Sequence, residues 1–319
     1  MKGLTDIPGV RVGHLSDFDA LTGVTAILFE GGAVAGVDIR GSASGTEDIE
    51  VLNPLHITGE IHGVVFAGGS AFGLEAVSGV RRYLEQKGIG FDTGYAKVPI
   101  VPGAIIYDLG IGKTHVRPTR EMGEAAARAA NAGAVREGAV GAGTGATVGK
   151  VFGMKQAMKS GIGTFTVQLG GPYSKVLVSA LAVVNAVGDV IDPKTNRILA
   201  GARRSTESRE FANSAEAIKN GVRAGFRGGN TTLVVVATNA KLTKVQAQKV
   251  AQLAQHGMVQ AIRPVNTMSD GDLVIAASIG NEQAGVDAIG IAAAEAVAEA
   301  IVRSVRLAPS LGGIPGLKS

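Results

Sequence analysis

The chain contains no cysteine and no tryptophan. Without cysteine there is no disulfide, no thiol nucleophile and no cysteine metal ligand, which suits a reducing compartment. Aromatic residues make up only 4% of the chain, so stacking platforms for nucleic-acid bases are not expected. Neither sign of charge dominates: 31 basic and 27 acidic residues leave a formal net charge of +4. The nearest approach to a basic patch, Arg203-Arg204, is followed by Glu207 and Glu210. Such a balance bears on solubility and points to no polyanionic partner. The N-terminal residues Met1 to Asp6 lack the apolar core of a secretion signal. The apolar stretch Val176 to Gly188 is too short for a membrane span. The five histidines (His14, His56, His62, His115, His256) are scattered, with no pair four apart, so no zinc site is expected. These absences leave a cytoplasmic protein with no metal, cofactor, nucleic-acid or membrane partner as the expectation.

What the chain has in excess is glycine, 47 of 319 residues. Pairs and short clusters of glycine lie between apolar runs, the pattern of tight turns and close backbone approaches. Short β-rich segments come first: Val10 to Val12, Thr25 to Phe29, Val34 to Ile39 and Ile61 to Phe66. A helix is predicted from Phe72 to Leu84, with Ser70 as its cap and Gly88 as its stop. Val101 to Leu109 reads as a strand and Arg120 to Ala132 as an alanine-rich helix. Thr164 to Leu169 and Lys175 to Ala186 read as long buried strands. From Asp192 to Asn230 apolar periodicity fades, which predicts an exposed connection. Thr231 to Thr238 then has high β-propensity. A helix capped by Thr243, a strand from Leu273 to Ile279 and a helix from Ala284 to Val305 complete the chain. Strands and helices alternate irregularly, which predicts one α+β domain with helices covering stacked sheets.

Several motifs invite chemistry. Gly141-Ala142-Gly143-Thr144-Gly145-Ala146 satisfies a dinucleotide pattern, but no acidic residue occurs between Glu137 and Asp189 to hold a ribose. As a P-loop, the same stretch would carry Thr144 at a required glycine and Val151 where a magnesium-binding hydroxyl belongs. The loop therefore reads as a close-approach segment presenting Lys150. Gly68-Gly69-Ser70-Ala71-Phe72 is nearly a nucleophile elbow, with Phe72 at the second glycine position. Gly228-Gly229-Asn230 precedes a hydroxyl residue at the head of a strong strand, a junction that suits an N-to-O acyl shift but by its residues alone reads first as an ordinary turn entering a strand. Asp270-Gly271-Asp272 either shares a function between two carboxylates or forms a solvated turn.

Taken in order, a set of segments resembles one family. They are Gly36 to Gly41, Ala67 to Glu75, Ala104 to Asp108, Gly141 to Gly143, Gly149-Lys150, Val183 to Asn185, Gly229 to Thr232 and Asp270 to Asp272. The family is that of self-processing aminopeptidases of the L-aminopeptidase/D-Ala-esterase/amidase (DmpA) type, with β-aminopeptidases and nylon-oligomer hydrolases among its members. The resemblance implies an αββα four-layer sandwich like that of N-terminal-nucleophile hydrolases. It implies a cut between Asn230 and Thr231, giving an α-chain of residues 1–230 and a β-chain of 231–319. Thr231 would be the nucleophile, with Asp270, Asp272, Lys150, Asn185 and Tyr107 around it. Serine-type members carry a serine where this chain has Asp270, and Ser269 is adjacent to that position. The implied substrate is a small peptide, amide or ester, and the implied assembly is a homo-oligomer of αβ pairs, a tetramer. Two further readings share the scaffold: an acyltransferase like the ornithine acetyltransferases, and a non-catalytic binding protein.

Overall fold

A computed structural model describes residues 1–222 and 229–318. Its main elements are β1 (Val10–Asp17), β2 (Thr22–Ile39), β3 (Ile61–Ala67), α1 (Glu75–Gln86), β4 (Gly103–Ile105), α2 (Arg120–Arg128), β5 (Ile162–Gln168), β6 (Leu177–Asn185), β7 (Thr231–Ala240), α3 (Lys244–Ala261), β8 (Leu273–Glu282) and α4 (Val286–Arg306). Hydrogen bonding links the strands in the order β5-β6-β7-β8-β2-β3-β4, with β1 also on β2. The β7–β8 and β3–β4 pairs are parallel, and the other neighbours in this series are antiparallel.

One strand serves two sheets. The first part of β2 pairs with β1 and β3, and residues Val34 to Ile39 pair with β8. The change falls at a register shift that contains Gly32, whose φ of 83° suits glycine. The two halves then face each other across an apolar layer.

Period-two alternation separates the layers. On β7, Leu233, Val235 and Ala237 join Ile27, Phe29, Phe66, Leu181 and Ile275 between the sheets. Val234 and Val236 point the other way, into a core shared with α3 and α4. Val24, Ala26 and Leu28 of β2 pack outward against α1 and α2. Helix, sheet, sheet, helix: the αββα sandwich is present.

Glycine permits this close stacking. A Cβ on Gly163 of β5 would lie 1.9 Å from the Ala300 carbonyl of α4, and one on Gly13 of β1 would lie 2.1 Å from the Ala126 carbonyl of α2.

Some local expectations need correction. Helix α1 begins at Glu75, after a 3-10 turn over Ser70–Leu74, and the Ser70 side chain caps nothing. Phe72 is mostly exposed beneath the Arg117 guanidinium. The Val101 to Leu109 stretch, which contains Pro102, yields only the short strand Gly103–Ile105. The 192–222 stretch is more ordered than a bare connection. It supplies Ile198–Ala200 to a small sheet and forms a helix over Ser214–Lys219. The buried Asp189 carboxylate holds it by accepting from Ala202 N, Ser214 N and Ser214 Oγ at 2.6–2.8 Å.

Gly163→Ala should therefore lower stability by about 1–3 kcal/mol, the usual cost of overpacking. Gly31→Ala, with nothing within 4 Å of its Cβ, should be neutral or slightly stabilising. Urea unfolding of the two variants against the parent checks this; equal effects would show that α4 does not depend on the contact.

Candidate active site

Thr231 is the first residue of β7, a strand flanked on both sides within its sheet. Across the antiparallel ladder its partner is Asn185, the last residue of β6. On the parallel side, Leu233 pairs with Leu273, and an isolated bridge joins Asn230 to Asp270. Sheet register therefore brings together residues from sequence positions 185, 231 and 270 without any long side chain reaching across. Thr231 has the parity of Leu233 and Val235, so its side chain belongs to the face between the sheets. Thr232 belongs to the helix-facing side.

The Thr231 hydroxyl donates to the Asn230 carbonyl at 2.6 Å, and the same carbonyl accepts the Gly271 N–H at 2.8 Å. Both residues are buried. Asn230 Nδ2 donates to the Ser269 carbonyl at 3.4 Å, so Ser269 meets the site through its backbone. Gly228, part of the flexible run predicted before the junction, lies outside the described residues.

Lys150 comes to this place from the glycine-rich loop. Gly149 has a φ of 70°, and a Cβ there would lie 2.0 Å from Ala202 N. Backbone bonds from Gly149 N to Gly188 O and from Lys150 N to Val187 O lay the loop against the end of β6. The Lys150 ammonium donates to both Asn185 O and Asn185 Oδ1 at 2.8 Å. The Asn185 amide nitrogen in turn donates to the carbonyls of Tyr107 and Gly229 at 3.1 and 3.2 Å.

The two carboxylates are held differently. Asp272 accepts from Thr232 N at 2.5 Å and from Asn266 N at 2.8 Å. Asp270 Oδ2 accepts from both the N–H and the hydroxyl of Thr267, at 3.0 and 2.6 Å. Asp270 Oδ1 is buried and accepts no hydrogen bond among the described residues.

Burial sets the electrostatics. Loss of solvent lowers Lys150 from 10.5 to about 7, against the pull of Asp270 and Asp272. Burial raises Asp272 to about 7, the Asp270 charge adds to this, and its two backbone donors oppose it. Such near-neutral values suit proton transfer.

A cavity of about 310 Å³ opens beside this cluster, lined by Tyr107, Asp108, Ile111, Thr147, Lys150, Phe152, Met154 and Gly229 among others. Its wall is mostly apolar, with Asp108 and Lys150 as its charged members. Motif reading passes over Asp108 as a site residue and misses Lys159 altogether. Asp108 accepts from Gly69 N at 2.6 Å and Thr22 Oγ1 at 2.7 Å. The buried Lys159 donates to the carbonyls of Thr144 and Ala146, and burial lowers it to about 7. Its only sequence signal is a lone charge between Met158 and Ser160-Gly161, too weak to single out. Thus all six residues implied by the resemblance, Thr231, Asp270, Asp272, Lys150, Asn185 and Tyr107, lie around one junction and the adjoining cavity.

The model of peptidase family S58 matches residues 2–319. The chain belongs to that family. It is thereby a hydrolase. An uncharacterized aminopeptidase of Mycobacterium leprae is 37% identical, with 99% of this chain and 93% of the relative covered. A 6-aminohexanoate-oligomer endohydrolase of Agromyces sp. is 31% identical over 85% of this chain and 73% of its own length. Among solved structures, the L-aminopeptidase D-Ala-esterase/amidase of Ochrobactrum anthropi superposes with a TM-score of 0.71. It shares 21% identity and covers 98% of this chain and 88% of its own. That likeness shows the fold, described there as a variant of the Ntn-hydrolase fold. No helix among the described residues is long and apolar enough to cross a membrane.

The lowered lysine has a measurable consequence. Below pH 7 Lys150 is protonated in both folded and unfolded chains, so its contribution is constant. Between about 7 and 10.5 the unfolded chain holds the extra proton, and unfolding free energy rises with pH by about 1.4 kcal/mol per unit for such a group. Asp272 acts oppositely: between 3.8 and about 7 the folded chain holds the extra proton, and stability falls as pH rises. Lys150→Met should flatten the alkaline slope by about 1.4 kcal/mol per pH unit, measured by urea unfolding between about pH 7 and 9.5 on a Thr231→Ala background. Identical slopes with and without the substitution would show that Lys150 keeps its ordinary pKa.

Proposed function

We propose that the protein is a self-processing amide hydrolase, cut between Asn230 and Thr231, whose new N-terminal threonine attacks small peptides, amides or esters. One observation carries the reading. In a chain of a peptidase family, a buried threonine hydroxyl sits 2.6 Å from the preceding carbonyl oxygen at the head of a central strand. The names of the relatives, an aminopeptidase and a 6-aminohexanoate-oligomer endohydrolase, support an amide bond as the target.

The first reaction has a particular need. While Thr231 is still in amide linkage it has no amine to act as base, so another group must take the hydroxyl proton. Lys150, lowered to about 7, is neutral often enough near pH 7 and is tied to the residue facing Thr231. The hydroxyl oxygen adds to the Asn230 carbonyl carbon, the carbon–nitrogen bond breaks, and the proton passes to the departing nitrogen. Water then hydrolyses the resulting ester and frees the hydroxyl again.

After the cut, Thr231 carries an α-amine with an ordinary pKa near ~8. Base and nucleophile then belong to one residue. Asp270 and Asp272 hold the ammonium form, and Lys150 opposes it by like charge. Asn185 and Tyr107 remain the candidate donors to the substrate carbonyl, and the apolar cavity beside them receives the acyl part. The working enzyme is a cytoplasmic homo-oligomer of αβ pairs, a tetramer. Supporting the assembly are Leu55, Ile57 and Tyr95, large side chains each at least 95% exposed on one protomer.

Denaturing electrophoresis of the purified protein should show two chains, the smaller beginning Thr231-Thr232-Leu233. Thr231→Ala should leave one inactive full-length chain, and Thr232→Ala should still be cut. A single uncut chain with full amidase activity would overturn the assignment of Thr231. Lys150→Met should slow the cut by about 10²–10⁴-fold, the usual contribution of a positioned base; an unchanged time course would remove Lys150 from that role.

A further inference from the structure

We propose that the backbone N–H of Gly271 is the oxyanion donor for the self-cleavage step, a role distinct from that of any donor serving substrate. The inference rests on the self-processing reading above. The Asn230 carbonyl oxygen accepts two hydrogen bonds, one from the Thr231 hydroxyl at 2.6 Å and one from Gly271 N at 2.8 Å. The first donor is the attacking group and loses its proton as it attacks. The second stays. When the new bond forms between Thr231 Oγ1 and the Asn230 carbonyl carbon, the carbonyl π pair moves onto that oxygen. The Gly271 amide already points at it. The pair returns as the carbon–nitrogen bond breaks, and the amine leaves with that bond's electrons and the hydroxyl proton.

The Asn185 amide, the side-chain donor that the resemblance brings to mind, is engaged elsewhere in the intact chain. It donates to the Gly229 and Tyr107 carbonyls at 3.2 and 3.1 Å. The carbonyl it grips belongs to the residue before the scissile one.

The turn that carries Gly271 is fixed from both sides, so the donor needs no reorganisation during the reaction. Asp270 is bonded through its carboxylate to Thr267, and its carbonyl accepts from Ala43 N at 2.8 Å. Asp272 is bonded to Asn266 N and Thr232 N, and its carbonyl accepts from Arg40 N and Gly41 N at 3.1 Å. Position 271 also has no room for a side chain: a Cβ would lie 2.8 Å from both Thr231 Oγ1 and the Ala43 carbonyl. The two aspartates thus flank a donor as well as acting through their own charge.

A backbone ester tests this without adding a side chain. Cell-free synthesis of the full-length chain with glycolic acid at position 271 replaces the N–H with an oxygen, adds no side chain, and otherwise only weakens the Asp270 carbonyl as acceptor for Ala43 N. On the folded fraction, the half-life of the cut should lengthen by about 10²–10³-fold, the effect of deleting one oxyanion donor. A half-life within about twofold of the parent chain, read against that same range, would overturn the inference. A second measurement needs no change at position 271. In the uncut Thr231→Ala chain, a through-hydrogen-bond coupling should join the labelled Gly271 nitrogen to the labelled Asn230 carbonyl carbon, and its absence would also overturn the inference. Should the parent chain itself never be cut before Thr231, the self-processing reading fails, whatever the ester shows.

Discussion

The register of β7 between β6 and β8 is the constraint on which the site depends. Strand pairing fixes every backbone atom of a central strand to within hydrogen-bond tolerance on both sides. At the head of β7 this places the Asn230–Thr231 peptide between the end of β6 and the turn before β8. A slip of one residue would turn Thr231 toward the helices and bring Thr232 into the layer between the sheets. The apolar residues behind it prevent the slip, because Leu233, Val235 and Ala237 would all have to change layers with it. The precision of the junction comes from packing far larger than the junction itself.

That packing also makes the charges unusual. Two lysines and three aspartates, Lys150, Lys159, Asp108, Asp270 and Asp272, lie near one end of the sandwich with little or no solvent contact. Burying such groups costs several kcal/mol each unless hydrogen bonds and opposite charges offset the loss. Here the offsets are largely backbone groups: carbonyls on Lys159, and N–H groups on Asp108 and Asp272. Amide dipoles can satisfy the geometry of a charged group without neutralising it. The lysines therefore stay easy to deprotonate and Asp272 easy to protonate, near the pH at which a cell would use them. A cluster of tight ion pairs in the same place would have held the lysine protons much more firmly and kept Asp272 ionised.

Sequence patterns revealed the layers better than the site. The continuous apolar, β-rich runs after Thr231 and from Leu273 announce buried strands, and Thr243 with Gln246 forms the capping box that starts α3. Around Ser70 the local signal misled: Gly68-Gly69 and the Asp108 carboxylate govern that turn, and Asp108 is distant in sequence. The order of soft motifs found the six candidate side chains. Spacing alone did not distinguish Asp270-Gly271-Asp272 from a solvated turn, since its burial comes from Ala43, Gly41 and Asn230 on other segments. Lys159 and the Gly271 amide were invisible for a plainer reason. One is an isolated lysine, and the other is a backbone group that every residue except proline possesses.

The arrangement also bears on why the junction is buried at all. An exposed Asn230–Thr231 bond would let water compete for the carbonyl oxygen and the hydroxyl, weakening both hydrogen bonds that the proposed cut would exploit. Buried, the two donors have one acceptor between them. Asp270 Oδ1 meanwhile lies nearby without a hydrogen-bond partner among the described residues. An unpaired buried carboxylate oxygen is costly. A newly formed ammonium at Thr231 carries the charge and donors that such an oxygen lacks. The intact chain thus bears part of its electrostatic cost in advance, and the proposed break at one peptide bond would create the group that can relieve it. On this view the proposed cut would complete the site's hydrogen bonding as well as expose its nucleophile, which would give the reaction a direction beyond the hydrolysis of the bond alone.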